Sequence, residues 1–240
     1  MTKLSVNINK IATLRNSRGA NVPNLLQFAT DIQDFGADGI TVHPRPDERH
    51  IKYDDVHELK PIINTEFNIE GYPNKKFIDL VINVKPHQVT LVPDKPNAIT
   101  SNSGWDTIKN YSFLKEIISE LSLNSIRTSI FLDPNIKFIY SAAKTGADRI
   151  ELYTEFYSKK FELDKNIAIS NYISTANEAI NFGLGINAGH DLSLKNIEFF
   201  STRIPNLLEV SIGHSLICES LYLGLENVIN LYKSKLSKNY

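Results

Sequence analysis

A (β/α)8 or TIM barrel of the α/β class, folded as a single domain over residues 1–240, is what this sequence predicts, on three observations. Short apolar runs rich in β-branched residues alternate with stretches of helical spacing eight times along the chain. Strict alternation of that kind implies parallel strands joined by right-handed crossovers. No linker rich in Pro, Gly or Ser divides the chain. The first strand runs into Asn9-Lys10-Ile11-Ala12-Thr13 with no glycine. A doubly wound open sheet, the main competitor, normally has a glycine-rich turn there.

Each element has its own signal. Leu4 to Ile8 alternates as a strand. Pro23 to Phe35 places Leu25, Leu26, Phe28, Ala29, Ile32 and Phe35 near helical spacing, and Gly36 stops it. The second strand, Gly39 to His43, ends where Pro44 and Pro46 lock φ and remove ladder donors. Asp54, a candidate N-cap, opens a helix to Ile63, and Glu66 to Glu70 is the third strand. Phe77, Leu80, Val81 and Val84 stripe a helix over Lys75 to Val84. The fourth strand, Gln88 to Val92, ends at Pro93. A long polar loop, Asp94 to Gly104, precedes a helix from about Thr107 to Leu123 and is the candidate lid. After the fifth strand, Ile126 to Leu132, Pro134 suits the first position of a helix reaching Gly146. The sixth strand is Arg149 to Tyr153, followed by a helix over Leu163 to Phe182. The seventh is Gly185 to Asn187, followed by a weak helix over Asn196 to Thr202. After the eighth, Leu207 to Ile212, Ser215 caps a final helix to about Leu236.

Composition narrows the partners. A formal net charge of −1 argues against bulk attraction to nucleic acid or acidic membranes, so anion recognition must be local. Cys218 is alone, which excludes an intrachain disulfide and a Cys-based metal cluster. The N-terminal residues carry no signal-peptide pattern and no apolar run is long enough to span a membrane, so a soluble cytoplasmic protein is expected.

Barrels place chemistry at the C-terminal ends of their strands. Here those ends deliver Asn7 and Asn9, Thr41 and His43, Asn68 and Glu70, Asp133, Asn187 and His190, and Ser211, Gly213 and His214. Glu151 lies within the sixth strand, where a carboxylate facing a packed interior is costly unless partnered. The opposite ends carry His87, Gln88, Arg127 and Arg149, with no comparable cluster of acids and imidazoles expected. His57 and His87 read as structural or exposed, whereas His43, His50, His190 and His214 belong to the loop face. Partial desolvation of Glu70 raises a carboxylate pKa toward base-catalyst values, and His190 can act as its acid partner.

Two anion sites follow from residue type. Arg45, with His50 and the more distant Arg18, can hold one phosphate by charge-assisted hydrogen bonds. Gly213-His214-Ser215, where the eighth strand enters the last helix, offers backbone N–H groups to a second. The chain has no dinucleotide fingerprint, Walker-type loop or Gly-x-Ser-x-Gly elbow. The two strand-one histidines common in metal-dependent barrel hydrolases are replaced by Asn7 and Asn9, so no metal is expected.

The chain resembles the PdxJ family of pyridoxine 5′-phosphate synthases over nearly its whole length. The matching segments are Val6-Asn7-Ile8, Ile11 to Asn16 with Arg18-Gly19, Gly36 to His43 with Arg45 and Arg49-His50-Ile51, Asn68-Ile69-Glu70, Leu91-Val92-Pro93, Asn187 to His190 and Ile212-Gly213-His214. The resemblance implies a condensation of 1-deoxy-D-xylulose 5-phosphate with 3-amino-2-oxopropyl phosphate to pyridoxine 5′-phosphate, phosphate and water, with no metal or organic cofactor. It implies His43 and Glu70 as bases, His190 as acid and Glu151 as a transition-state stabiliser. Asn7, Arg18, Gly213 and His214 match positions that hold the aminoketone phosphate. Arg45, His50 and Thr100 match positions that hold the sugar phosphate, and a homo-octamer is implied. The chain departs from many members in having Asn9-Lys10 for Asp-His at a substrate contact, with Lys10 supplying a cation. It also has Asp191 for a Gly whose backbone N–H binds phosphate. An epimerase or aldolase acting on one sugar phosphate, and a catalytically silent phosphometabolite sensor, are the alternative readings.

Overall fold

The computed structural model describes residues 1–94 and 103–237. These form parallel strands closed into a barrel in sequence order: β1 (Lys3–Asn7), β2 (Gly39–Val42), β3 (Glu66–Gly71), β4 (Gln88–Leu91), β5 (Arg127–Leu132), β6 (Arg149–Tyr153), β7 (Gly185–His190) and β8 (Leu207–Ile212). Closure is made by β1 on β8, with Lys3 opposite Glu209 and Val6 opposite Ile212. The helices among the described residues are α1 (Asn9–Asn16), α2 (Leu25–Asp34), α3 (Tyr53–Leu59), α4 (Lys75–Val84), α5 (Tyr111–Leu123), α6 (Ile139–Lys144), α7 (Glu155–Phe161), α8 (Lys165–Asn181), α9 (Ile197–Arg203), α10 (His214–Leu223) and α11 (Leu225–Leu236). None is long and apolar enough to cross a membrane.

The period-two alternation of each strand separates two environments. Outward residues such as Val6, Ile40, Val42, Phe67, Ile69, Ile130, Ile150 and Val210 are fully buried under the helices, and the hydrophobic core is this annulus. Inward residues are unusually polar for a barrel, whose lumen is normally filled by branched aliphatics. Ser5 and Thr41 share a 2.7 Å hydrogen bond. Asn68 donates to Thr41 at 3.3 Å and accepts from Thr90 at 3.1 Å. Thr90 also reaches Glu151 Oε2 at 3.4 Å. Each group in this run of hydrogen bonds from Ser5 to Glu151 has a partner, which offsets the cost of withdrawing it from water.

The lower end holds a charged cluster of a different kind, acids paired with arginines. Glu66 pairs with Arg127, and Arg149 lies 3.5 Å from Glu209 and 3.2 Å from Asn187. His87 accepts from the Phe67 N–H at 2.9 Å, a structural role. These acids meet arginines, a pattern that holds strands together rather than one that exchanges protons.

Local structure departs from expectation in several places. The chain leaving β1 turns at once into α1, whose first N–H is capped by Asn7 Oδ1 at 3.0 Å. The expected N-cap Asp54 lies inside α3, where Asp55 accepts from the Lys52 N–H at 2.7 Å instead. Pro134 does not start a helix; a 3-10 turn at Ile136–Phe138 precedes α6. α5 begins at Tyr111 rather than Thr107, β7 extends to His190, and α7 is an extra helix ahead of α8. The last helix starts at His214, not after a Ser215 cap, and is cut in two at Gly224, whose φ of +82° suits glycine alone.

α1 also fixes the loop that follows β2. Arg15, nearly buried, grips Asp55 with two bonds of 2.6 and 2.8 Å, and Asn16 donates to the His50 carbonyl at 2.8 Å. Removing one partner of a buried pair strands the other charge. Arg15→Met should therefore lower stability by about 3–5 kcal/mol in urea unfolding. Arg15→Met combined with Asp55→Leu should recover much of the loss.

Candidate active site

A cavity of about 370 Å³ opens at the C-terminal ends of the strands. Its walls include the acids Glu70, Glu151 and Asp191, the imidazoles His43, His50, His190 and His214, and the cations Lys10 and Arg45. Asn7, Asn9 and Gly213 complete the expected set, with Ser211 from the end of β8, while the apolar Val92 and Phe131 were not expected in the wall. Two expected residues are not placed there. Arg18 is exposed beyond the end of α1 and does not line the cavity, and Thr100 lies outside the described residues.

The centre is built from β1, β2 and β3. Asn7 Nδ2 approaches Glu70 Oε2 at 3.5 Å, and His43 Nδ1 stands 3.9 Å from the same oxygen. Asn9, expected at a substrate contact, also holds the frame: its side-chain oxygen accepts from the His43 N–H at 2.9 Å. Arg45 is engaged by Asp94 at 2.5 Å, both side chains being buried. An incoming phosphate would compete with that carboxylate for the guanidinium. His50 accepts from the Ile51 N–H through Nδ1 at 2.9 Å, which makes Nε2 its protonated nitrogen.

Electrostatics follow from burial. Burial, with the Asp94 charge adding, pushes Glu70 up to about 8, although Arg45 and a hydrogen bond from Ser211 pull the other way. Glu151 rises well above the ordinary carboxylate range because it is buried and close to Glu70. Gly189 makes room for it, since a Cβ there would lie 2.2 Å from Glu151 Oε1. His43 is driven well below the usual imidazole value by burial and by Arg45, and His50 falls to about 4 for the same reasons. At neutral pH the site therefore holds neutral imidazoles at His43 and His50 beside largely protonated Glu70 and Glu151.

The other wall is β6 and β7. The Tyr153 ring packs edge-on to His190 with centroids 5.0 Å apart, and Phe131 lies 5.1 Å from Tyr153. Val92, Phe131 and Tyr153 form a small apolar cluster of their own at the barrel mouth. Asp191 directs Oδ2 at His190 Nδ1, 2.7 Å away. Among the described residues no three His, Cys, Asp or Glu side chains are arranged to hold a metal ion.

As a class, this is a (β/α)8 barrel with an acid–base rim. The profile of the family described as "Pyridoxal phosphate biosynthesis protein PdxJ" matches residues 4–238, and the chain belongs to that family. Pyridoxine 5′-phosphate synthase of Flavobacterium johnsoniae is 64% identical over 236 residues, covering 98% of this chain and 100% of the relative. That of Christiangramia forsetii is 65% identical over 232 residues, covering 97% and 98%. Among solved structures, 3-keto-L-gulonate-6-phosphate decarboxylase of Vibrio cholerae aligns with a TM-score of 0.66 at 7% identity, covering 100% of this chain and 99% of its own. Phosphoribosylanthranilate isomerase of Thermotoga maritima aligns at 0.63 and 13% identity, covering 99% and 100%. Those two likenesses are of fold.

The raised Glu70 value carries a stability consequence. The unfolded carboxyl ionises near 4.5, whereas the folded one keeps its proton to about 8. Stability is therefore lost as pH rises between those values. Glu70→Gln, which cannot ionise, should unfold at a higher temperature than the parent at pH 8, with the advantage shrinking toward pH 4.5 in calorimetric scans.

Proposed function

We propose that the chain is a pyridoxine 5′-phosphate synthase, condensing 1-deoxy-D-xylulose 5-phosphate with 3-amino-2-oxopropyl phosphate to pyridoxine 5′-phosphate, phosphate and water. Two observations support the reading together. Relatives of that name match this chain end to end, and Glu70, His43, Glu151 and His190 all line one cavity.

The chemistry asks for what the cavity offers. Joining an amine to a ketone, expelling water and closing a ring each move protons, and a base and an acid on opposite walls serve them. Glu70 and His43, 3.9 Å apart on β3 and just past β2, act as bases. Glu70, held near 8 by burial, combines proton affinity with a usable ionised fraction, and burial keeps His43 in its neutral, proton-accepting form. His190, across the cavity at the end of β7, donates the proton to a leaving oxygen. Glu151, held through Thr90, supplies a neutral carboxyl that donates to charge developing in the transition state.

Two phosphorylated substrates need separate cradles, because like charges repel strongly in a cavity of low dielectric. Arg45, His50 and Lys10 line one side and take the sugar phosphate, joined by Thr100. Asn7, Gly213 and His214, at the start of the ten-residue α10, take the aminoketone phosphate. Arg18, exposed beyond α1 and outside the cavity, is assigned to that group on the family resemblance. The assembly is a homo-octamer in the cytoplasm. Exposure of Leu221 and Tyr222 at 76% and 90% supports burial of α10 against another copy.

Purified protein given both substrates should release phosphate and form pyridoxine 5′-phosphate. Glu70→Gln should lower kcat by roughly 10²–10⁴-fold with little change in KM, as loss of a general base does. For the parent, kcat/KM should climb with pH through about 8 as the buried acid sheds its proton. Substantial turnover by the Gln variant would remove Glu70 as the base.

A further inference from the structure

We propose that Asp191 is a positioning residue that works through His190, forming with it a carboxylate–imidazole pair that fixes which nitrogen exchanges protons with substrate and strengthens the hold on that proton. The inference rests on the reading of His190 as the acid, and it gives Asp191 a task other than contacting phosphate.

The geometry is local and tightly held. Asp191 Oδ2 lies 2.7 Å from His190 Nδ1, the length of a charge-assisted hydrogen bond. A carboxylate can only accept, so Nδ1 carries the proton and exchange with substrate falls to Nε2. His190 itself sits at φ +100°, a conformation a non-glycine side chain adopts only under constraint. Constraint is visible on both sides. The carbonyl of Gly189 accepts from the Thr154 N–H at 3.1 Å and from the Thr154 hydroxyl at 2.7 Å. The ring of Tyr153 stands perpendicular to the imidazole. Three contacts thus define the backbone, the ring plane and the tautomer of one side chain.

A carboxylate at the edge of a phosphate cradle is otherwise a handicap, since it repels the dianion. Spent on the imidazole, its charge is neutralised where protonated His190 faces it. Burial alone would push Asp191 up, but the hydrogen bond and charge of His190, with Lys159 and His214 adding, hold it below the ordinary carboxylate range, so it stays ionised. The charged and titratable groups around the pair include Glu151 and Tyr153 from β6, Lys159 from α7, Tyr172 from α8 and His214 from α10, with Glu155 and Asp133 acting on the same tyrosines. Glu151 keeps its proton through burial and Tyr153 is raised likewise. Asp191 is therefore the anion that His190 Nδ1 meets directly.

The chemical step is a proton transfer. His190 Nε2–H gives its proton to the departing hydroxyl oxygen, which leaves as water, and the neutral imidazole regains a proton from solvent before the next turnover. The test is Asp191→Asn in the full-length protein, which keeps the backbone N–H and the size but removes the charge. NMR titration of the His190 ring, assigned by its loss in His190→Gln, should show the midpoint falling by about one pH unit, a tenfold loss of proton affinity. The alkaline limb of kcat should move down by the same amount with KM for both substrates little changed. An unchanged midpoint in Asp191→Asn overturns the pairing. A raised KM for either phosphate with the midpoint unmoved assigns Asp191 to substrate binding instead. If the parent makes no product, the synthase reading fails, while the ring titration still decides the pairing.

Discussion

Desolvation of Glu70 is the constraint on which the rest of the site depends. A carboxyl placed at the mouth of a barrel would ordinarily be ionised and passive. Here the lumen below it is polar but closed, and every strand around it contributes a hydroxyl, an amide or another acid rather than a lysine or arginine in direct contact. Arg45, the cation nearest in effect, is itself held by Asp94. The contrast with the lower end is instructive. There Glu66 and Glu209 are offset by Arg127 and Arg149, and the same residue types make a brace. One barrel thus carries two clusters of acids, the lower one with guanidinium partners, although burial and the neighbouring Glu66 still push Glu209 up to about 8.

Much of this was legible in the sequence because strand alternation is rigid. Once a strand starts on Glu66, Asn68 and Glu70 must share its face, and Thr41 and His43 must share the next one, so the inward set is fixed by parity. Alternating polar residues at strand ends then read as a rim, and family resemblance supplied roles. The same parity would have exposed the lower cluster, since Glu66 leads its strand's inward series and Arg127 and Arg149 lead theirs. What parity cannot show is pairing between residues far apart in the chain, such as Arg45 with Asp94 or Arg15 with Asp55. Those partnerships depend on loop paths that no short-range pattern encodes.

Helix boundaries were the weaker part for a physical reason. α1 opens on Asn9 and Lys10, so it has no apolar start, and its cap comes from Asn7 inside the preceding strand. α7 is short and held by tertiary contact: the hydroxyl of Tyr157 donates to the Asn196 carbonyl and its ring packs on Phe200. Such elements owe their existence to the assembled fold more than to propensity.

The division of the C-terminal segment at Gly224 reaches beyond local geometry. α10 begins at the rim, but α11 lies across the seam where β1 meets β8, packing on β1, α2 and α9. Lys233 binds Asp38, which also accepts from the Leu4 N–H, and Lys235 binds Glu198. A segment that follows all eight strands in sequence thus locks the first of them in place. A nascent chain cannot secure that seam until Leu225–Leu236 have left the ribosome, so the eight strands must wait for a helix made after them.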